Sequence, residues 1–171
     1  MKFFKRYSST IHGNYRKAYL RCGLIVGVLL SLYLLIRNLM GTPAVSPVSL
    51  ISDAILLVSV FLFAAYYRNS LPERKVTMKE LMLFGMGLAA VAGLVYGLFL
   101  WVLLSVDNDS IMHFVPGMTG REVDPNDPQL HYWAPFIAIV SAIETLILGA
   151  FGAFLAAILF KNEKPEIKNK R

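Results

Sequence analysis

The chain alternates between long apolar blocks and short polar segments. Four blocks, at 22–40, 49–67, 81–106 and 133–160, consist mainly of Leu, Val, Ile, Phe, Ala and Gly. Apolar residues occupy every face of these blocks, without the polar stripe that a soluble helix keeps. A helix of about 20 consecutive apolar residues crosses a bilayer core. The pattern therefore predicts an all-α polytopic membrane protein whose four transmembrane helices form an up-down bundle.

Composition supports one membrane domain over residues 1–171, because 56% of the residues are apolar and only 16% are charged. The segment 1–21 is basic and polar, which differs from the short basic and apolar regions of a secretory signal peptide. Cys22 is the sole cysteine. It excludes an internal disulfide and a CxxC metal or redox motif, and is interpreted as a small residue that fills space.

Charge is distributed unevenly over the polar segments. Lys and Arg are concentrated in 1–21, in the second connection and in the tail 161–171, whereas the loop 107–132 has one Arg among five acidic residues. The positive-inside rule then predicts cytoplasmic termini and an acidic extracytoplasmic loop at 107–132. Topology explains the net charge of +6, so we expect the lipid bilayer as a partner and no nucleic acid.

The connections contain two patterns with a chemical meaning. Thr77 precedes Glu80 by three residues, which is the spacing of a capping box at the start of a helix. The loop 107–132 carries Asp and His residues that could ligate a cation, but no spacing matches an EF-hand or a zinc motif. We therefore predict no metal and no cofactor, with the loop as an acidic, solvated segment.

Small residues recur four apart in the last two spans. Transmembrane helices pack through such residues, because lipid supplies no hydrophobic force between helices. The pattern predicts close approach of the third and fourth helices, with a second contact to the first helix through Gly23 and Gly27. A homo-oligomer or another membrane protein is the alternative partner of these stripes, which comprise Gly85, Ala89, Gly93 and Gly97, and Ser141, Thr145, Gly149 and Ala153.

A faint internal repeat relates the two halves of the chain. "KAYLRCGLIVG" at the first span resembles "KELMLFGMGLA" at the third, and the second and fourth spans each carry one acidic residue followed by an Ala-Ala pair. One interpretation is duplication of a helical hairpin, which would place a pseudo-two-fold axis along the membrane normal. Chance similarity between apolar strings is the other.

Glu144 is the only ionisable residue from Pro135 to Phe160. A charge at the centre of a membrane helix costs roughly 2.5–3.5 kcal/mol, so this carboxyl must be protonated or hydrogen-bonded inside the bundle. We expect Arg37 and Asp53 to meet or to face one polar pocket near the outer interface. Tyr96 and Ser59 are polar groups at a depth comparable with that of Glu144. Three roles for Glu144 stay open: a structural carboxyl, an ion or proton step, and partner docking.

No catalytic motif is present, since the chain lacks GxSxG, HExxH and a glycine-rich phosphate loop. We therefore expect no enzymatic activity. The leading hypothesis is an accessory or structural membrane subunit that acts through helix packing and its outer loop. The alternative is a small transporter or proton-coupled conduit that uses Glu144.

Three stretches carry a resemblance to a known family: "RKAYLRCGLIVGVLLSLYLLI", "KVTMKELMLFGMGLAAVAGLVYGLF" and "LGAFGAFLAAILFKNEKPE". With these the chain resembles a bacterial family of small four-helix integral membrane proteins that is known as a domain of unknown function. The resemblance implies a multi-pass protein of the bacterial cytoplasmic membrane with no assigned activity. It supplies no functional residues.

Overall fold

A computed structural model of the chain contains four α-helices: α1 (Tyr15–Leu39), α2 (Ser49–Asn69), α3 (Met78–Val106) and α4 (Leu130–Phe160). The structure describes residues 15–40, 49–71, 76–106, 111 and 130–161. All four helices are long and apolar enough to cross a membrane. The prediction of an all-α, four-span membrane protein is confirmed.

The helices extend beyond the predicted spans at several ends. Helix α1 begins seven residues before the predicted start at 22, α3 and α4 each begin three residues early, and α2 ends two residues late. Hydropathy locates only the part of a helix that crosses the lipid core, whereas backbone hydrogen bonding continues into the polar interface. Most of the basic segment 1–21, of the acidic loop 107–132 and of the tail 161–171 lies outside the described residues.

Side-chain contacts give the relative directions of the helices. Gly85 lies against Ala153 and Gly97 against Ala138, so α3 and α4 are antiparallel. Helix α1 runs parallel to α3, because Gly23 lies against Leu88 and Gly27 against Ala92. Helix α2 runs parallel to α4, with Leu56 near Gly149 and Phe61 near Phe160. The chain therefore crosses up and down, and the N-termini of α1 and α3 lie at one end of the bundle.

Helices α3 and α4 share the most extensive interface in the bundle. A Cβ atom added at Gly93 would lie 2.9 Å from the carbonyl oxygen of Ala142, and one added at Gly97 would lie 3.0 Å from that of Ala138. Backbones approach so closely only where a side chain is missing. The predicted stripes thus face one another, with Ala89 against Gly149 as a further rung.

Glycines of α1 make a second close contact, with α3. A Cβ atom at Gly23 would lie 2.7 Å from the carbonyl oxygen of Leu88, and one at Gly27 would lie 3.1 Å from that of Ala92. Both glycines face α3, so none remains on α1 to bring α2 close. Helix α3 is therefore the centre of the bundle, with α1 and α4 packed against two of its faces.

Helix α2 is the most weakly packed of the four. It contains no glycine, and 22% of its span is buried, against 33–39% for the other spans. It packs mainly against α4 and touches α1 and α3 only sparsely. The first hairpin, α1–α2, is consequently open, whereas the second hairpin, α3–α4, is closed. The two hairpins do not repeat one packing arrangement.

Buried apolar side chains form two clusters. The larger cluster draws on all four helices and includes Val26, Val60, Phe84 and Ala156. The smaller cluster lies toward the other end of the bundle and consists of Leu34, Leu100, Leu104, Ile111, Ala134 and Ile137. No residue of α2 belongs to the smaller cluster. Helix α2 thus leaves the core at the level where the smaller cluster begins.

The start of α3 has the predicted cap. The backbone N–H of Glu80 donates to Thr77 Oγ1 at 3.2 Å, and the backbone N–H of Thr77 donates to Glu80 Oε2 at 3.2 Å. These reciprocal hydrogen bonds satisfy the backbone N–H groups of Thr77 and Glu80. The N–H of Glu80 lies in the first turn of α3, where it has no acceptor within the helix. The capping-box prediction is confirmed, and α3 begins at the next residue, Met78.

Candidate functional site

A small polar cavity lies between the two apolar clusters. Its volume is about 40 Å³, whereas a water molecule needs about 10–15 Å³ of such space. All four helices contribute to its wall, and six of the eight wall residues are polar. They are Leu30, Ser52, Asp53, Leu56, Tyr96, Ser141, Glu144 and Thr145.

Each helix becomes polar at the level of this cavity. On α1, Leu30 belongs to the larger cluster and Leu34 to the smaller one, and Ser31 follows Leu30 directly. On α3, Tyr96 is half-buried and packs against both clusters. The side chains of α4 that line the cavity are three and four residues apart, at 141, 144 and 145, so they share one helix face. The cavity is therefore a polar layer between two apolar ones.

Ionisable groups from the other three helices lie near Tyr96. Arg37, Asp53 and Glu144 all lie close enough to interact with it electrostatically, as does Tyr33. Asp53 and Glu144 also interact with one another. The Arg37 side chain is only 7% exposed, which makes it a buried cation. The site accordingly combines one cation with two carboxyl groups.

Hydroxyl groups around the cavity are tied to their own helices. Thr145 Oγ1 donates to the carbonyl oxygen of Ser141 at 2.8 Å, and Ser31 Oγ donates to that of Gly27 at 2.8 Å. Each donor is satisfied in this way, and each hydroxyl oxygen keeps lone pairs that can accept a hydrogen bond or coordinate a cation. The neighbourhood of the cavity is therefore rich in oxygen acceptors.

Glu144 occupies the rim of the cavity. Its side chain lines the cavity, yet the residue is exposed on the surface of the bundle. A residue with both properties stands where the cavity meets the surroundings of the protein. Asp53, in contrast, is only half exposed and interacts with Glu144 from the neighbouring helix α2. The two carboxyl groups thus form a pair in which Glu144 is exposed at the bundle surface and Asp53 is more buried.

The structure brings together four of the five predicted polar residues: Glu144, Asp53 and Tyr96 at the cavity, and Arg37 beside Tyr96. Ser59 does not line the cavity. It lies seven residues beyond Ser52, roughly 10 Å deeper along α2.

Sequence reasoning missed Ser52 as a wall residue, although it adjoins Asp53. It also assigned Ser141 and Thr145 to helix packing alone, although both line the cavity. Spacing was the available indication, since Ser141 lies three residues before Glu144 and four before Thr145, which places Ser141 on a helix face shared with both.

A second depression lies on the lipid side of the α3–α4 pair. This groove has a volume of about 270 Å³, and its wall carries no polar side chain apart from the indole of Trp101. The groove offers no acid, base or nucleophile. Among the described residues no three His, Cys, Asp or Glu side chains lie together as a metal-binding group. The polar cavity is therefore the candidate site.

No family model, curated protein or solved structure matches the chain. The resemblance to a bacterial four-helix family therefore stays a prediction.

Proposed function

We propose that this protein is a small, non-enzymatic, proton-coupled transporter in which Asp53 and Glu144 share one exchangeable proton. The observation that carries the proposal is the polar cavity to which all four membrane-spanning helices contribute. Ionisable residues inside a membrane are costly and usually mark an ion or proton pathway. A purely structural bundle of this size could be closed by apolar side chains at the same level.

Charge balance supports a proton as the occupant. With both carboxyl groups ionised, Asp53 and Glu144 carry two negative charges and Arg37 carries one positive charge. An uncompensated charge in a low-dielectric interior is strongly unfavourable. One bound proton makes the group neutral, and loss of that proton leaves one negative charge. The site can therefore exist in two states that differ by a single proton.

The packing of α2 supports coupling between the proton and a movement. Asp53 is carried by α2, the least buried span, whereas Glu144 and Tyr96 are carried by the tightly packed pair α3–α4. A shift of α2 against this pair changes the separation of the two carboxyl groups. Protonation would then favour one position of α2 and deprotonation another, as alternating access requires.

Charge distribution supports an orientation in the bacterial cytoplasmic membrane. The basic segments lie at the chain termini and in the second connection, so we place both termini in the cytoplasm. With this orientation the larger apolar cluster is on the cytoplasmic side of the cavity. The proton would enter Glu144 from the outer half of the membrane.

Proteoliposomes test the proposal. Purified full-length protein is reconstituted with a pH-sensitive dye in the lumen, and the change in lumenal pH is followed after an imposed pH gradient. We expect wild-type protein to accelerate proton movement, and Glu144→Gln and Asp53→Asn each to reduce the rate to that of empty vesicles. Glu80→Gln is the matched control, because it lies far from the cavity at the start of α3 and Gln preserves the capping box there.

Retention of wild-type flux by folded Glu144→Gln protein would contradict the proposal. Proton exchange at the site without net flux is measured in parallel by infrared difference spectra of the carboxyl groups between acidic and alkaline pH. Absence of both signals would refute the assignment.

One observation favours a second candidate, an accessory subunit with a membrane-protein partner or a second copy. Glu144 is exposed on the bundle surface within a membrane span, where a polar residue of another helix could neutralise it. In that case a specific protein co-purifies in mild detergent, and Glu144→Gln abolishes its recovery whereas Glu80→Gln does not. Equal recovery of the co-purifying protein with both variants would count against the accessory-subunit candidate.

A further inference from the structure

Cationic side chains collect at one end of the bundle. The helix directions bring together the N-termini of α1 and α3 and the C-termini of α2 and α4. We name this the basic end, and it is defined by the described cations Lys17, Arg21, Arg68, Lys79 and Lys161. All of them are exposed except Arg68, which is half-buried.

Described cations outnumber described acidic side chains at the basic end. In the described part of the chain, the only acidic residue at the basic end is Glu80. Its carboxylate is engaged with the backbone of Thr77 in the capping box. The other described acids, Asp53 and Glu144, lie at the cavity. The described surface of the basic end is thus strongly positive.

The cations lie at the ends of the membrane-spanning helices, and this position restricts which partners can bind them. Lys17 opens the candidate span of α1, Lys79 is the second residue of α3, and Lys161 directly follows α4. Tyr19 and Tyr66, which are half-buried, lie near the same ends, in the position typical of an aromatic belt at the membrane interface. A partner at this level must be anionic and must itself lie in the interface.

We propose that the basic end binds the headgroups of anionic phospholipids and selects them over zwitterionic ones. Cations close to an anionic membrane surface attract it, and lysine and arginine side chains reach the headgroups while their methylene stems stay against the apolar helices. The basic end surrounds four helix termini, so several headgroups are held at once. This proposal does not depend on proton coupling at the cavity.

Spin-labelled lipids test the proposal on the intact protein in phosphatidylcholine bilayers. The fraction of label that is immobilised at the protein is measured for phosphatidylglycerol and for phosphatidylcholine carrying the same label. We expect a larger immobilised fraction for phosphatidylglycerol. A combined Lys17→Gln, Lys79→Gln and Lys161→Gln variant should lose most of this preference, because these lysines supply much of the positive charge that attracts anionic headgroups.

The matched control replaces the same three lysines by arginine, which keeps the charge and should keep the preference. Wild-type protein gives a second measurement that needs no variant, because high salt screens exposed charges and should abolish the preference. Equal immobilisation of the two labels by wild-type protein would overturn the proposal, as would an unchanged preference in the glutamine variant. Displacement of the lipid by inorganic phosphate at matched ionic strength would instead identify a site for soluble anions and would also overturn it.

Discussion

The two hairpins of this protein are built from similar lengths of apolar helix but are held together in different ways. In the α3–α4 hairpin, glycine and alanine residues let the two backbones approach until a Cβ atom would collide with a carbonyl oxygen. In the α1–α2 hairpin, the glycines of α1 face α3 instead, and α2 has none. Polar side chains gather where α2 separates from the core.

This difference shows how a membrane bundle can hold polar groups without a large pore. Small residues fix three helices, α1, α3 and α4, in close contact. The remaining helix, α2, is the least buried span, and its side chains Ser52 and Asp53 border the cavity. The cavity of about 40 Å³ forms at this point. Close packing of α3 against α4 and a polar cavity beside α2 are thus parts of one arrangement.

Replacing Arg37 should have the largest effect on stability, and it tests the open hairpin. Arg37→Met removes the buried cation and leaves the carboxyl groups near Tyr96 without their positive neighbour. Breaking a buried charge group in this way costs about 3 kcal/mol. The measurement is unfolding of purified protein by SDS in micelles, followed by circular dichroism. Adding Asp53→Asn should restore part of the loss, and a wild-type midpoint for Arg37→Met would contradict this role.

Enlarging Gly149 should have the next largest effect, and it tests the closed hairpin. Gly149→Leu inserts a side chain where the helix α4 backbone already meets Ala89. Overpacking of a tight contact costs about 2 kcal/mol. In the same SDS titration, Ala54→Leu on the exposed face of α2 is the control and should leave the midpoint nearly unchanged. Equal losses at both positions would remove the contrast between the hairpins.

Removing the cap of α3 should have the smallest effect and tests whether local sequence also distinguishes the second hairpin. Thr77→Ala deletes the hydroxyl that accepts from the backbone N–H of Glu80. Loss of such a cap costs about 1 kcal/mol. Amide hydrogen exchange in the first turn of α3 should accelerate, whereas exchange near Gly93 should not. Glu80→Gln should behave as wild type, and faster exchange in that variant would contradict the capping role.

Much of the fold was predictable because each feature depends on nearby residues. The spans follow from apolar runs, the start of α3 follows from Thr77 and Glu80, and the close approach of α3 and α4 follows from small residues four apart. Helix neighbours are a different matter. Up-down connectivity fixes directions, and Gly23 and Gly27 predicted a contact of α1 with the α3–α4 pair, which the structure shows to be with α3. Neither feature predicts that α2 packs mainly with α4.

The candidate site was predictable in kind but not in composition. Ionisable residues are rare in apolar spans, so Arg37, Asp53 and Glu144 are easily recognised in the sequence. Depth along a helix depends on tilt and on sliding between helices, which residue counting does not supply. Ser59 was therefore placed at the level of Glu144, whereas Ser52 is the serine of α2 that lines the cavity. Glu144 is exposed on the bundle surface, and predicting this exposure requires the position of α2, which the sequence does not give.

The pairing of parallel helices has a consequence for biogenesis. The ribosome delivers α1 and α2 first, and these two helices have few contacts with each other. Neither can complete its packing until its parallel neighbour, α3 for α1 and α4 for α2, has entered the bilayer. Helices α1 and α2 therefore stay incompletely packed in the membrane until α3 and α4 are inserted. During that interval the carboxyl group of Asp53 and the guanidinium of Arg37 lack their final surroundings, so a membrane insertase that shields polar groups would assist this protein most before α3 emerges.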